Sequence, residues 1–432
     1  MCGILVIHSK KKKLNKRVCE KLAKFIYNRG PDKILKEYFD SGKLFIVNSI
    51  LSITGKIKKG RNLYKSENNR YVISFNGEIY NYKNLSNEYL KKKFIINDTD
   101  TLVNLFNKDN HYNIVKKLDG MFAYCVYDKS NKELKFATDV QGEKKLFYYE
   151  NEDFFIASSN LQPILKFNDE IDYIKLKEYF ETKHFLFVGN TFYKNIKYFK
   201  EGFIYKFNLR TQKIQSRKFD DPINWITKKT YLRMKNLNDD ELTNYFYNIL
   251  KKSKEKMTPK IPFTSFFSGG IDSSVASKLL SSSKNLKTLI YIDHGNKKDP
   301  ISYQIENFKK YLNRKVKILK IDEKKYFSSL KKIYSSLQYP FQTHDSPGIG
   351  IAFKYAKKNK FKVIFNGGGV DELWGGYKLY KSNNWNQNYF GNLSPYSSFK
   401  KILNTKNTKS KKIADKLWLR AYKKYNKFLN KK

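Results

Sequence analysis

The hydrophobic pattern of this chain changes period once, near residue 240, and no single sheet or helical bundle accommodates both halves. Up to residue 207, short β-rich runs alternate with turn residues at 3–8, 43–53, 70–80, 121–128, 135–140 and 154–159, the pattern of a sheet-rich domain. Helical stretches lie between them. Leu14, Val18, Leu22, Phe25 and Ile26 share one face and are stopped by Gly30 and Pro31, and a second helix is expected over residues 101–106. Residues 208–240 lose their period and turn polar, the character of a linker. After it come strand (262–267), helix, strand (288–292), helix (302–312), strand (316–321), helix (349–356, opened by Asp345-Ser346-Pro347) and strand (361–365). Strand–helix alternation predicts a doubly wound parallel sheet. The expectation is therefore two domains, 1–207 and 241–432, joined by the linker 208–240. From residue 400 a Lys- and Asn-rich stretch reads as a helix with a solvated basic face.

Net charge would suggest a polyanionic partner, because 86 Lys plus Arg against 40 Asp plus Glu give +46. Only nine of those basic residues are arginine, the residue preferred for bidentate recognition of phosphate and guanine. The excess follows a chain-wide abundance of Lys, Asn, Ile, Tyr and Phe, and no specific nucleic-acid partner is expected. Cys2, Cys19 and Cys125 are too few and too scattered for a disulfide framework or a zinc pair. The apolar start at residues 4–7 is cut short by His8 and the lysines at 10–13, so it is neither a signal-peptide core nor a spanning helix. These features predict a soluble chain in a reducing cytoplasm.

Three segments carry chemistry. Cys2 becomes the terminal residue once Met1 is removed, and a free α-amine, with an ordinary pKa of about 7.7–8.0, is basic enough to take the thiol proton. One residue then supplies both nucleophile and base. The second segment, Phe267-Ser268-Gly269-Gly270-Ile271-Asp272-Ser273-Ser274, lies between a predicted strand and a predicted helix. Glycine N–H groups and a helix N-terminus cradle phosphate oxygens there, hydroxyls of Ser268, Ser273 and Ser274 add donors, and Asp272 can hold Mg2+. The third, Asn366-Gly367-Gly368-Gly369-Val370-Asp371-Glu372, follows the strand at 361–365. A nucleotide belongs at the carboxyl end of such a sheet.

Four more segments complete a pattern: Met1-Cys2-Gly3-Ile4, Arg29-Gly30-Pro31-Asp32, Phe75-Asn76-Gly77-Glu78-Ile79-Tyr80-Asn81 and Leu118-Asp119-Gly120-Met121-Phe122-Ala123, in this order. Asn-Gly after a strand is commonly only a hairpin turn. In this company it resembles the class II, N-terminal-nucleophile glutamine amidotransferases. Combined with the second half, residues 1 to about 380 resemble the glutamine-hydrolysing asparagine synthetases. The resemblance implies an αββα N-terminal-nucleophile sandwich followed by an α/β adenylating domain. It implies that Cys2 attacks the side-chain amide of glutamine, with Asn76 and the Gly77 N–H as oxyanion donors. Glu78 and Asp100 would hold the α-amino group, and Ile50, Ser52 and Ile53 would complete the glutamine pocket.

In the second half the family reading assigns ATP and pyrophosphate binding to Phe267, Ser268, Gly269, Gly270, Asp272, Ser273, Ser274, Tyr291, Asn366 and Gly367. Mg2+ would be held through pyrophosphate by Asp272 and Asp371, with no prosthetic group. ATP activates a carboxylate as an acyl-adenylate, and ammonia from glutamine reaches it through an internal channel. Aspartate is the default acceptor. A second copy of the chain, as a homodimer, is the one macromolecular partner the reading leaves open.

Three departures from the family pattern fall on substrate recognition. Ile50 occupies the position of an arginine that grips the α-carboxylate of glutamine, and loss of such a charge-assisted contact weakens binding. Gly368 replaces a glutamate linked to formation of the adenylate. Only 55 residues follow Tyr377, so the acceptor-side helices look shortened. A sugar or secondary-metabolite carboxylate is therefore an alternative acceptor, and a degenerate protein that binds glutamine or nucleotide without turnover is an alternative class.

Overall fold

A computed structural model describes residues 1–57, 59–60, 62–91, 96–182, 189–293, 305, 311–338 and 346–370. The loop from residue 371, the helix expected beyond residue 400 and most of the one expected at 302–312 lie outside these residues.

Alternation along the first strand explains the N-terminal architecture. In β1 (Gly3–Ser9), Ile4 and Val6 face one core while Leu5 and Ile7 face another. With β2 (Lys33–Phe39), β3 (Leu44–Ile50), β8 (Phe147–Glu150), β9 (Phe154–Ser158) and β10 (Lys197–Tyr198) it forms a sheet ordered β10-β8-β9-β1-β3-β2. A second sheet contains β4 (Tyr64–Lys65), β5 (Tyr71–Ile79), β6 (Gly120–Asp128), β7 (Glu133–Thr138), β11 (Phe203–Asn208) and β12 (Ile214–Lys218), ordered β12-β11-β7-β6-β5-β4. Every pairing in both is antiparallel.

The sheets share a core in which Ile4, Val6 and Ile46 of the first cluster with Phe136 of the second, whose ring lies 5.8 Å from that of Phe155 in the first. Helix Lys16–Tyr27 covers the other face of the first sheet with Cys19, Leu22, Ala23 and Ile26. These lie at i, i+3, i+4 and i+7, one helical stripe, whereas Val18, expected on this face, is half exposed. The helix starts where the Asn15 side chain accepts hydrogen bonds from the N–H groups of Arg17 and Val18. Helices Asp98–Leu105 and His111–Lys117 pack on the second sheet through Leu102, Val103, Ile114 and Val115. The result is the expected αββα sandwich.

The boundary of this domain differs from the expectation. Residues 208–240 do not form one linker, since β12 pairs with β11 along its length. Ile-Gln-Ser-Arg-Lys is exposed at four of its five positions, and an edge strand solvated on both faces has no alternation to read. Helices Lys228–Lys235 and Asp239–Met257 follow, the second started by a capping box between Asn238 and Glu241.

The C-terminal sheet holds β13 (Phe263–Phe266), β14 (Leu286–Asp293), β15 (Val316–Lys320) and β16 (Ile364–Phe365), all parallel, in the order β15-β14-β13-β16. The chain winds from β13 outward to β15 and then returns to the other side of β13. Strand order therefore reverses between β13 and β16, and a crevice opens at their carboxyl ends. Helix Glu323–Leu337, which the sequence reading did not anticipate, buries none of its residues fully. Among the described residues no helix is long and apolar enough to cross a membrane.

One buried charge braces the second sheet. Asp128, fully buried in its side chain, accepts from Arg70 Nε and Nη2 at 2.9 Å each and from Lys135 Nζ at 2.9 Å. Burial alone would raise its pKa, but Arg70 and Lys135 hold it down at about 2. A carboxyl depressed by folding contributes stability above its unfolded pKa of about 3.9, and this is lost as pH falls toward its folded value. Asp128→Asn should cost about 3 kcal/mol in urea unfolding at pH 7, the scale of a broken buried ion pair, and the difference from wild type should shrink between about pH 4 and pH 2.

Candidate active site

The first site forms where the two sheets are tied together. Asn48, on β3 and 2% exposed, donates from Nδ2 to the Gly3 carbonyl at 3.0 Å and to the Phe75 carbonyl at 2.9 Å. Its Oδ1 accepts the Phe75 N–H at 3.2 Å. One side-chain amide thus connects the start of β1, next to Cys2, with the stretch of β5 leading into Asn76 and Gly77. Gly3 and Gly30 permit the close approach. A Cβ on Gly3 would lie 2.4 Å from Ser49 Oγ, and one on Gly30 would lie 2.3 Å from the Ile50 nitrogen.

Cys2 is held from both sides. Its Sγ accepts the Leu51 N–H at 3.4 Å and donates to the Leu51 carbonyl at 3.8 Å, and Arg29 Nε donates to the Cys2 carbonyl at 2.9 Å. Burial pushes the thiol pKa up, so the sulfur needs a base. Burial also lowers the neighbouring Met1 amine to about 6, with Arg29 and Lys144 adding to the effect. An amine in this environment is unprotonated at neutral pH.

Cys2, Ile50, Ser52, Ile53, Gly77 and Glu78 all line one cavity of about 40 Å3. Part of its wall is acidic. Glu78 accepts from Thr54 Oγ1 at 2.7 Å, and burial raises its pKa. Asp98, 5% exposed, accepts the Ile79 N–H at 3.2 Å and the Thr99 N–H at 2.8 Å. Burial, reinforced by the charge of Glu78, lifts Asp98 to about 7. Glu78 and Asp98 thus form a buried acidic wall, with neither in a salt bridge among the described residues, and such a wall favours a cation.

Asp98 therefore stands where the sequence reading expected Asp100, which does not line the cavity. Asp98 is the first residue of its helix, and Asp100 follows about 200° further round the axis. Its carbonyl accepts from Asn104 Nδ2 at 2.9 Å.

Asn76 is not among the cavity-lining residues, yet both polar atoms of its side chain are buried without a hydrogen-bond partner. It shares a strand face with Ser74, whose hydroxyl reaches the Val47 carbonyl of the opposite sheet, so it points between the sheets. An orphaned amide costs about 1–3 kcal/mol and gains a partner if substrate oxygen comes within reach. At Gly77 a Cβ would lie 2.1 Å from the Met121 carbonyl, which excludes any side chain.

The second site lies at the β13–β16 crevice. Phe267 is buried, Gly269 has φ +82°, and Gly270 caps helix Ile271–Ser281. Ser268 Oγ lies 2.9 Å from Ser273 Oγ and accepts the Gly270 N–H at 3.3 Å; Ser274 Oγ donates to the Gly270 carbonyl at 2.7 Å. This is a cup of hydroxyl and N–H donors over a helix N-terminus. Asp272 lies in the first turn, and a Cβ on Gly367 would lie 3.5 Å from the Asp272 carbonyl. The loops after β13 and β16 thus face each other. Tyr291 is buried toward the carboxyl end of β14. Asp371 lies outside the described residues. The donor set fits a polyphosphate, and Asp272 supplies the hard oxygen that Mg2+ prefers.

A glutamine amidotransferase domain model matches residues 1–220, and an asparagine synthase model matches residues 248–432. Asparagine synthetase [glutamine-hydrolyzing] 1 of Bacillus subtilis is 30% identical over 404 residues, covering 88% of this chain and 60% of the relative. Asparagine synthetase [glutamine-hydrolyzing] 2 of the same organism is 25% identical over 401 residues, covering 87% of this chain and 52% of the relative. The chain thus spans a little over half the length of these two relatives. Among solved structures, a glutamine phosphoribosylpyrophosphate amidotransferase from B. subtilis covers 82% of this chain and 93% of its own, at 12% identity and a TM-score of 0.38, too low to carry a comparison.

Asn48→Leu removes the tie between the sheets and strands the Gly3 and Phe75 backbone groups. It should lower stability by about 3 kcal/mol in urea unfolding, the scale of unpaired buried polar groups.

Proposed function

Because the chain belongs to the family that joins a glutamine amidotransferase domain to an asparagine synthase domain, we propose that it is an ATP-dependent amidotransferase. Cys2 releases ammonia from glutamine, and the second domain consumes it by amidating an adenylated carboxylate, yielding AMP, pyrophosphate and glutamate. The observation that carries this reading is the meeting of a buried sulfur and two neighbouring carboxylates around one cavity.

With Met1 removed, the Cys2 amine takes the thiol proton and the sulfur attacks the amide carbon of glutamine. Negative charge gathers on the carbonyl oxygen, where Asn76 Nδ2 and the Gly77 N–H are the donors; such a donor contributes roughly 2.7–4 kcal/mol. Glu78 and Asp98 hold the α-ammonium group, which neutralises their mutual repulsion. The adduct collapses as the Cys2 amine returns the proton to the departing nitrogen, which leaves as ammonia and leaves a thioester on Cys2. Water hydrolyses the thioester to glutamate, and ammonia moves to the second domain through an internal passage that keeps it unprotonated.

There the cup at residues 268–274 binds the phosphates of ATP while the acceptor carboxylate displaces pyrophosphate from the α-phosphorus. Asp272 and Asp371 would hold Mg2+, which would supply positive charge for the departing pyrophosphate. Ammonia attacks the activated carbonyl and AMP departs. Aspartate is the acceptor favoured by the names of the relatives. Gly368, where the family carries a glutamate, favours a different carboxylate, and a panel of carboxylic acids scored for AMP release separates the two. The chemistry needs only small molecules and suits the cytoplasm.

Cys2→Ala should abolish glutamine-supported AMP formation and leave ammonia-supported formation intact, whereas Asp272→Ala should abolish both; equal loss of both activities in Cys2→Ala would contradict two separate sites.

A pH profile tests the acidic wall. Asp98 titrates at about 7 in the free protein and binds an ammonium only when ionised. The kcat/KM for glutamine should therefore fall as pH drops below about 7, while kcat, measured with the cation bound, holds to lower pH. Asp98→Asn should raise KM roughly 10- to 100-fold, the range of a charged hydrogen bond, and Asp100→Asn should leave it within about twofold.

A further inference from the structure

One wall of the Cys2 cavity is braced from the other domain. The Ser52 N–H donates to Asp32 Oδ2 at 2.7 Å. Lys362, from the C-terminal domain, places Nζ 2.6 Å from that same oxygen and 3.2 Å from the Ser52 carbonyl. Asp32 is itself fixed, because its N–H donates to the Ile50 carbonyl at 3.0 Å and Pro31 forms a parallel bridge to Ile50. Lys362 thus grips both the backbone of the wall and the carboxylate that supports it.

The other end of this connection is the nucleotide crevice. Lys362 precedes β16 by two residues. The Thr264 N–H donates to the Val363 carbonyl at 3.1 Å, and Ser265 Oγ donates to the Phe365 carbonyl at 3.4 Å. Asn366 and Gly367 follow directly, with Gly367 against the backbone of Asp272 and Ser273. A stretch of six residues therefore runs from the rim of one site to the floor of the other.

The cavity behind the wall gives this connection a task. Ser52 shares its lining with Cys2 and Glu78. The sulfur side is fixed by β1 and Asn48, and the acidic side by β5 and the helix at Asp98. The irregular segment after β3, which contains Ser52, is the wall left to move, and Lys362 holds it.

Building on the function proposed above, we propose that Lys362 is an interdomain latch, a positioning residue that keeps the Ser52 wall of the glutamine pocket closed and ties its opening to nucleotide at residues 268–274. A nucleotide bound against Gly367 steadies β16 and with it the latch. An empty crevice leaves the wall freer to open. Occupancy of one site thereby biases the other through a contact that differs between open and closed walls.

Alkylation of Cys2 by iodoacetamide, followed on the Cys2 peptide by mass spectrometry with and without ATP and Mg2+, tests the latch without requiring turnover. In wild type, ATP and Mg2+ should slow alkylation about threefold, the scale of a partly exposed ion pair. Lys362→Met should alkylate about threefold faster than wild type without nucleotide and should lose the response to ATP. Lys362→Arg, which keeps the charge, should retain the response. Unchanged melting temperature and unchanged ammonia-supported AMP formation in Lys362→Met exclude a folding defect. The latch is overturned if wild-type alkylation ignores ATP, if Lys362→Met reacts at the wild-type rate, or if that variant keeps the ATP response. Failure of the wild type to hydrolyse glutamine would instead overturn the proposed function and leave the latch standing.

Discussion

The three hydrogen bonds of Asn48 are the constraint on which the first site depends. Cys2 lies just before β1, so its position is set by what grips that strand. Asn48 grips that strand at Gly3 and, with the same amide, grips β5 at Phe75. The sulfur and the Asn76-Gly77 stretch of β5 are thereby fixed relative to each other. An amide has four hydrogen-bonding positions, and three are used here. An apolar side chain of similar size would fill the space without fixing the spacing.

Electrostatics then decides what the cavity accepts. Burial raises the pKa of Glu78 and Asp98, and the charge of Glu78 raises Asp98 further, so the wall favours a bound ammonium group. Beside Cys2 the Met1 amine is pushed down by burial and by the cations Arg29 and Lys144. The acidic wall thus suits the cationic end of an amino acid, and burial beside Cys2 favours the neutral form of an amine. Neither shift requires an unusual residue; each follows from removing water.

Much of this was legible in the residue order. The αββα and parallel sheets follow from the period change near residue 240, and the glycine-rich loop at residues 268–274 stands between β13 and its helix as its composition suggested. Two kinds of feature were not legible. Edge strands such as β12 carry no alternation because neither face is buried, so residues 208–240 read as linker. Residues that act through tertiary contacts leave no local mark: Asn48 looks like any polar residue in a strand, and Lys362 like any of the chain's many lysines. The choice between Asp98 and Asp100 turns on which one begins the helix, and a boundary uncertain by two residues reverses the direction of a side chain.

The two halves form one machine only if nitrogen released at Cys2 is the nitrogen incorporated at the crevice between β13 and β16. Supplying glutamine labelled with 15N at its side-chain amide, together with ATP, Mg2+, the acceptor and an excess of unlabelled ammonium, tests this directly. The account predicts that the new amide carries 15N in excess of the label present in free ammonium. A product with the isotopic composition of the ammonium pool would contradict it.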